Sequence, residues 1–341
     1  MRAGATGKKP RIVFVVTGYP AVGLGHVYRA MMLAEAMPGC ETEFLCTRES
    51  EDFAVDLAGT DFPARKQQSG ELWRDVRDLR PDLVINDMLN TGEEYMRPLK
   101  ERGLRLVNFE DEGPGAELAD LVVNALYERA GGDDARRLYG HRNFCLRDEF
   151  LKAERKAFRA GAEQALVTFG GTDSSDFTRK SVDALYADCL ERGLKLRIVA
   201  GPGYAHKEAL QEHLARIDPE TRLLSYTHAT NVMSAEMEKA DFAVCSAGRT
   251  VYELAHMRIP AIVLAHHERE DMHSFARPEN GFIYLGVMNP FRAEDLRAAF
   301  LHTAGAQERR ILRERMEQFD FTGNKARVVA RILDLLRTDL G

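Results

Sequence analysis

The residues best suited to chemistry sit in four short clusters, each just after a β-branched apolar run. The first is Gly18-Tyr19-Pro20-Ala21-Val22-Gly23-Leu24-Gly25-His26, which opens onto a helical stretch. Its glycines let the backbone approach a ligand closely, and the free N–H groups at a helix start suit a phosphate or a developing anion. The spacing is neither GxGxxG nor that of a P-loop. His26 at the helix mouth fits a base, because the positive dipole end favours the neutral imidazole. A turn histidine that merely caps the helix fits equally well. The second cluster, Phe169-Gly170-Gly171-Thr172-Asp173, reads as a phosphate-facing loop with an N-cap, or as a loop and cap alone.

The third cluster is Cys245-Ser246-Ala247-Gly248-Arg249-Thr250-Val251-Tyr252-Glu253. Small residues followed by a helix start make a second anion cradle, and Glu253 lies about one turn inside the helix. A carboxylate there can accept both hydroxyls of a ribose; the alternative is a solvated helix glutamate. The fourth, His266-His267-Glu268-Arg269-Glu270-Asp271, is a charge run of the kind that usually coats a solvated face, placed where a cleft residue would also fall. His266, His267 and His273 come without HExxH or a carboxylate triad, so no metal is expected. Cys40, Cys46, Cys145, Cys189 and Cys245 have no zinc spacing and read as reduced, mostly buried thiols.

These loops need a scaffold that delivers them to one edge. Candidate strands begin at Arg11, Glu41, Asp82, Arg105 and Asp120, and a second series begins at Gln164, Leu194, Arg222, Asp241 and Ala261. Helical periodicity between them, as in Tyr28 to Met37 and Ser181 to Arg192, predicts βα units and two doubly wound parallel sheets. In such sheets ligands bind beyond the carboxyl ends of the strands. The Ala-rich, charged segment Asp148 to Ala162 reads as a helix or linker, which divides the chain into domains at 1–160 and 161–341. After Pro290 the pattern is almost wholly helical. The last helix, Lys325 to Leu336, carries Val328, Val329, Ile332, Leu335 and Leu336 on one face that must pack on something.

Composition narrows the partners. The chain has 341 residues, more than one core usually holds, with 47 basic and 53 acidic residues mixed along it for a net charge of −6. That balance offers no footprint for nucleic acid or an anionic membrane. Mean hydropathy of −0.34 argues against a multispan membrane protein, and Ile12 to Val16 is too short for a signal segment. A cytoplasmic globular protein is expected; its oligomeric state is not written in the sequence.

Gly23-Leu24-Gly25-His26-Val27-Tyr28-Arg29 with Leu33-Ala34, then Asn108-Phe109-Glu110-Asp111-Glu112, Leu146-Arg147-Asp148-Glu149-Phe150, Phe169-Gly170-Gly171-Thr172-Asp173 and the Ser246 to Glu253 segment together resemble the PseG family. That family hydrolyses a UDP-linked trideoxy-diacetamido sugar on the way to pseudaminic acid, and is similar in turn to MurG-type glycosyltransferases. The resemblance runs from about residue 11 to 285. It implies a GT-B fold of two Rossmann-like domains with a C-terminal helical segment, and a nucleotide sugar held between them. It also implies His26 as catalytic base, Glu253 on the ribose, and Ser246, Ala247, Gly248, Arg249 and Thr250 at the diphosphate, with Gly23, Gly25, Arg29, Gly170, Gly171 and Thr172 around the substrate. His267-Glu268 stand where the family has Asn-Gln, and Asp87-Met88-Leu89 where aspartate-His-Tyr can occur; both places are implied to face the sugar. The expected reaction is inverting, metal-independent hydrolysis of a UDP-linked amino or deoxy sugar for surface-polysaccharide or nonulosonic-acid synthesis, without cofactor. Transfer to a sugar or lipid acceptor, and binding without catalysis, are the alternatives.

Overall fold

The computed structural model describes residues 8–19, 22–129, 131–230 and 232–337, so Pro20 and Ala21 of the first glycine loop lie outside the described residues. Among the described residues the strands are β1 (Arg11–Val16), β2 (Glu41–Cys46), β3 (Ala64–Lys66), β4 (Leu83–Asp87), β5 (Arg105–Phe109), β6 (Leu121–Asn124), β7 (Arg137–Tyr139), β8 (Gln164–Thr168), β9 (Lys195–Ala200), β10 (Leu224–His228), β11 (Phe242–Ser246), β12 (Ala261–Ala265) and β13 (Phe282–Val287). They form a seven-stranded sheet in the order β3-β2-β1-β4-β5-β6-β7 and a six-stranded sheet in the order β10-β9-β8-β11-β12-β13. All pairings are parallel. Central strands are buried on both faces, as β4, β11 and β12 are throughout, because helices cover each side of a parallel sheet. Alternation splits the side chains between two cores: Ile12, Phe14 and Val16 enter one, Val13 and Val15 the other.

Each sheet winds outward in both directions from its centre, so strand order reverses between β1 and β4 and between β8 and β11. Crevices open at those switch points. Three strands escape the sequence pattern. β3 and β7 have three residues each, and β13 is an edge strand with only Phe282 fully buried, so none shows the long apolar run of an interior strand.

The segment Asp148 to Ala162 is helical only over Asp148–Lys152. Arg309, itself buried, holds the remainder in place by donating to the carbonyls of Arg159 and Ala160 at 2.9 and 2.5 Å. The chain end then crosses back: on the helix Asn324–Arg337, Val328, Val329 and Ile332 enter the core of the first sheet. Burial of each is worth about 1.5 to 3 kcal/mol, which ties the chain end to the N-terminal half.

Candidate functional site

The carboxyl ends of both sheets face a common cleft of about 300 Å³. Gly23, Gly25, His26, Arg29, Gly170, Gly171, Thr172, Ser246, Gly248, Arg249, Thr250, Glu253 and His267 border it; Asp87, Ala247 and Glu268 do not. The two halves meet closely here. A Cβ on Gly171 would sit 3.1 Å from the Leu24 backbone nitrogen, so the approach of the two loops favours glycine there, while Gly23 is favoured by its own backbone, at a φ of +80°.

On the first wall, the β1–β4 register sets Val16 beside Asp87, directly under the helix Gly25–Glu35. His26 and Arg29, three residues apart, project from the same face of that helix. His26 Nδ1 lies 2.5 Å from Asp87 Oδ1, while Arg29 gives Nη2 to Oδ1 and Nε to Oδ2, both at 2.6 Å, and Nη1 to Glu110 Oε1 at 2.6 Å. Asp87, expected to face a sugar, is instead fully buried with both oxygens occupied. Burial pushes its carboxyl up, but the Arg29 charge and hydrogen bonds, then His26, bring it down to about 2. Ionised, it can only accept, so Nδ1 of His26 donates to it, and in the neutral ring the lone pair then stands on Nε2. Arg29, also expected on the substrate, spends its guanidinium on Asp87 and Glu110. Burial leaves the Glu110 carboxyl above its ordinary range despite Arg29.

Across the cleft, β11 delivers Ser246 and the turn into the helix Thr250–Met257. The first-turn N–H groups of a helix have no carbonyl behind them, so this turn has the donors to hold an anion. Ala247 is buried under it, and its carbonyl accepts the Nδ1–H of His273 at 2.7 Å. Glu253 Oε1 receives Nε and Nη2 of Arg147 at 3.2 and 3.0 Å, and Arg147 Nη1 reaches Glu149 at 2.6 Å. In the Gly170 loop, the Asp173 carboxylate accepts the N–H groups of Phe177 and Thr178 at 2.8 and 2.7 Å and caps their helix. Gly170, Gly171 and Thr172 are left facing the cleft.

Past β12, His267 is exposed at the rim, and its Nδ1 accepts the Glu270 N–H at 3.3 Å to start the short helix Glu268–Asp271. Glu268 is exposed and away from the cleft, which corrects its expected place. One short helical turn points Glu270 inward instead, where it accepts the His266 N–H at 2.8 Å. Burial raises the Glu270 carboxyl to about 7 and lowers the His273 imidazole to about 4. Among the described residues no group of three or more His, Cys, Asp or Glu side chains is placed to hold a metal ion. Glu110 and Arg147 stood within quoted motifs, and Glu270 within the charge run, but nothing in their local sequence marked them for the cleft.

Two Rossmann-like domains with a cleft between their strand ends define the GT-B fold. MurG of Acinetobacter baumannii is similar over 95% of this chain and 99% of its own, with a TM-score of 0.63 and 17% identity. HepE of Anabaena, solved in complex with UDP-glucose, is similar over 95% and 99%, with a TM-score of 0.58 and 13% identity. In sequence, the spore coat polysaccharide biosynthesis protein SpsG of Bacillus subtilis is 25% identical over 268 residues, 76% of this chain and 78% of SpsG. An uncharacterized protein of Methanocaldococcus jannaschii is 26% identical over 274 residues, 76% of this chain but only 56% of that protein, so this chain spans little more than half its length. No family model matches the chain. Among the described residues no helix is long and apolar enough to cross a membrane.

Proposed function

We propose that the chain displaces the nucleotide from the anomeric carbon of a UDP-linked amino or deoxy sugar, with water as nucleophile. The observation that carries this reading is the contact between His26 Nδ1 and the buried Asp87, with His26 bordering the cleft; in the neutral ring that contact puts the lone pair on Nε2, the base of this reading. Nε2 takes a proton from water as the new C–O bond forms. The bond to the diphosphate breaks, UDP leaves as an anion, and His26 returns its proton to solvent. N–H groups at the start of the helix Thr250–Met257 and along Gly170–Gly171 meet the charge that develops, and Glu253 accepts ribose hydroxyls. A single displacement inverts the anomeric centre. In this reading residues 1–160, with the helix Asn324–Arg337 packed on them, supply the nucleophile side, and the rest of 161–341 the nucleotide side.

The part of SpsG in spore coat polysaccharide biosynthesis and the UDP-glucose bound by HepE support a sugar-nucleotide substrate. The same base would serve a transferase by deprotonating an acceptor hydroxyl, and the test separates the two. Incubation with a panel of UDP- and CMP-linked amino sugars, without acceptor, is expected to yield equal amounts of free UDP and free sugar. Negligible turnover that a sugar or lipid extract restores would make the chain a transferase.

A further inference from the structure

Four carboxyl groups border the cleft, and three of them are matched from within the protein. Glu110 takes Arg29 Nη1 at 2.6 Å, and Glu253 takes Arg147 Nη2 at 3.0 Å. Asp173 is spent on the N–H groups of Phe177 and Thr178. Glu270 differs from all three. Its Oε2 accepts the His266 N–H at 2.8 Å, but among the described residues no cation lies within ion-pair distance of the carboxyl and no donor is bonded to Oε1. The group is not sealed off, since Glu270 is partly exposed at the cleft wall.

A carboxylate withdrawn from water ordinarily has a cation beside it to hold its charge. Here burial, and after it the neighbouring Asp173 carboxylate, push the Glu270 carboxyl up to about 7, against the single N–H of His266. The nearby bases do not supply the missing charge. Arg269 turns away to the Glu110 carbonyl at 2.9 Å, and the His266 ring, stacked on Phe177 with centroids 4.4 Å apart, is kept neutral by its own burial. The place of the loop indicates which part of a ligand would bring a cation. His273, three residues beyond Glu270, is close enough to His267 and His26 for their charges to help lower its pKa, so this segment stands at the His26 end of the cleft. With His26 as base, that end receives the sugar. A sugar has a simple way to carry positive charge there, a free amino group.

We propose that Glu270 selects a donor sugar bearing a free amino group, whose ammonium donates to Oε1. This rests on the reading above and narrows its amino sugar to one with an unacylated amine, unlike the diacetamido sugar of the family that the sequence resembles. An acetamido group is neutral and leaves the Glu270 charge unmatched, whereas an ammonium forms a charge-assisted hydrogen bond with it. Discrimination between amine and acetamide is then a difference set by one side chain. Glu270 takes no part in bond breaking.

The test is calorimetric titration, at neutral pH, of the wild type and Glu270→Gln with UDP, UDP-glucose, UDP-glucosamine and a UDP-linked 4-amino-4-deoxy sugar, each amino sugar paired with its N-acetyl form. Glutamine can still accept the His266 N–H through its oxygen, and it presents an NH₂ where the ammonium would sit. The wild type is expected to bind at least one free amine about tenfold or more tighter than its N-acetyl form. Glu270→Gln is expected to abolish that preference with UDP and UDP-glucose affinities unchanged, and unchanged UDP affinity also certifies a folded cleft. A wild type without preference for either amine, a preference that survives in Glu270→Gln, or a UDP affinity that Glu270→Gln alters as much as that of the amino sugar overturns the proposal. Failure of the wild type to bind UDP at all removes the uridine-nucleotide reading and the proposal with it, whereas UDP binding without amine preference overturns the proposal alone.

Discussion

Asp87→Asn changes one charge in a side chain of nearly constant shape, and the hydrogen bonds around it dictate the outcome. Oδ1 accepts from both His26 Nδ1 and Arg29 Nη2, and Oδ2 accepts from Arg29 Nε. An amide has one oxygen to offer. If its NH₂ takes the Oδ1 position, it donates to His26 Nδ1 and moves the ring proton to Nε2, abolishing the base. If it takes the Oδ2 position, the tautomer survives but the negative charge that would stabilise the imidazolium is gone. Either way one Arg29 donor faces another donor. General-base catalysis supplies about a hundred- to ten-thousand-fold, so kcat for UDP release should fall by at least about a hundredfold while UDP affinity stays near the wild-type value. Stability should fall too. The Asp87 carboxyl sits near 2 against an ordinary 3.8, and a lowered carboxyl pKa contributes stability that is present above the higher value and lost as pH falls through the lower one. That shift is worth about 2 kcal/mol at neutral pH, and breaking a buried ion pair costs roughly 3 to 5 kcal/mol. His26→Ala should lower kcat over the same range, and the double variant should be no slower than His26→Ala alone, because Asp87 acts through His26. A folded Asp87→Asn enzyme with kcat within threefold of wild type, or strictly additive losses, would refute the reasoning.

Glu253→Ala should weaken UDP binding by about 1.5 to 3 kcal/mol, the worth of hydrogen bonds to a charged group, and unchanged affinity by calorimetry would remove Glu253 from the ribose. Glu270→Gln should change the pH dependence of stability. A buried carboxyl raised from 4.5 to about 7 stabilises the fold fully below pH 4.5 and loses that contribution as pH rises through 7, roughly 3 kcal/mol in all. Melting curves should therefore show the variant gaining on the wild type at pH 8 and matching it near pH 4.5. His267→Asn should reorder activity across a panel of donor sugars with UDP affinity nearly intact; an unchanged ranking would make His267 a rim residue that only caps its helix.

The scaffold was legible because its determinants are local. RIVFVV, LVIND and AIVLA announce interior strands by composition alone, and the glycine-rich turns after β1, β8 and β11 follow from where those strands stop. Two doubly wound sheets, and the loops that border the cleft, are consequences of that alternation. Even the apolar stripe Val328, Val329 and Ile332 required a partner. That the partner is the first sheet, some three hundred residues earlier, is a matter of tertiary packing that no stripe encodes. The same limit applies to the chemistry. His26 and Asp87 are 61 residues apart, and Arg147 and Glu253 are 106 apart. Each pair exists because parallel strand register and loop packing bring the ends of non-consecutive segments together. Asp87 and Arg29 are substrate contacts only by the family resemblance, since nothing in one dimension shows which way a charged side chain near a strand end or helix mouth is turned. Only the packed sheet shows them turned inward against each other, where burial converts two surface-type residues into the support of a histidine. A turn of four residues likewise decided between Glu268 and Glu270. Local sequence determined which residue types stand at the strand ends; the fold determined which of them face the cleft and which face one another.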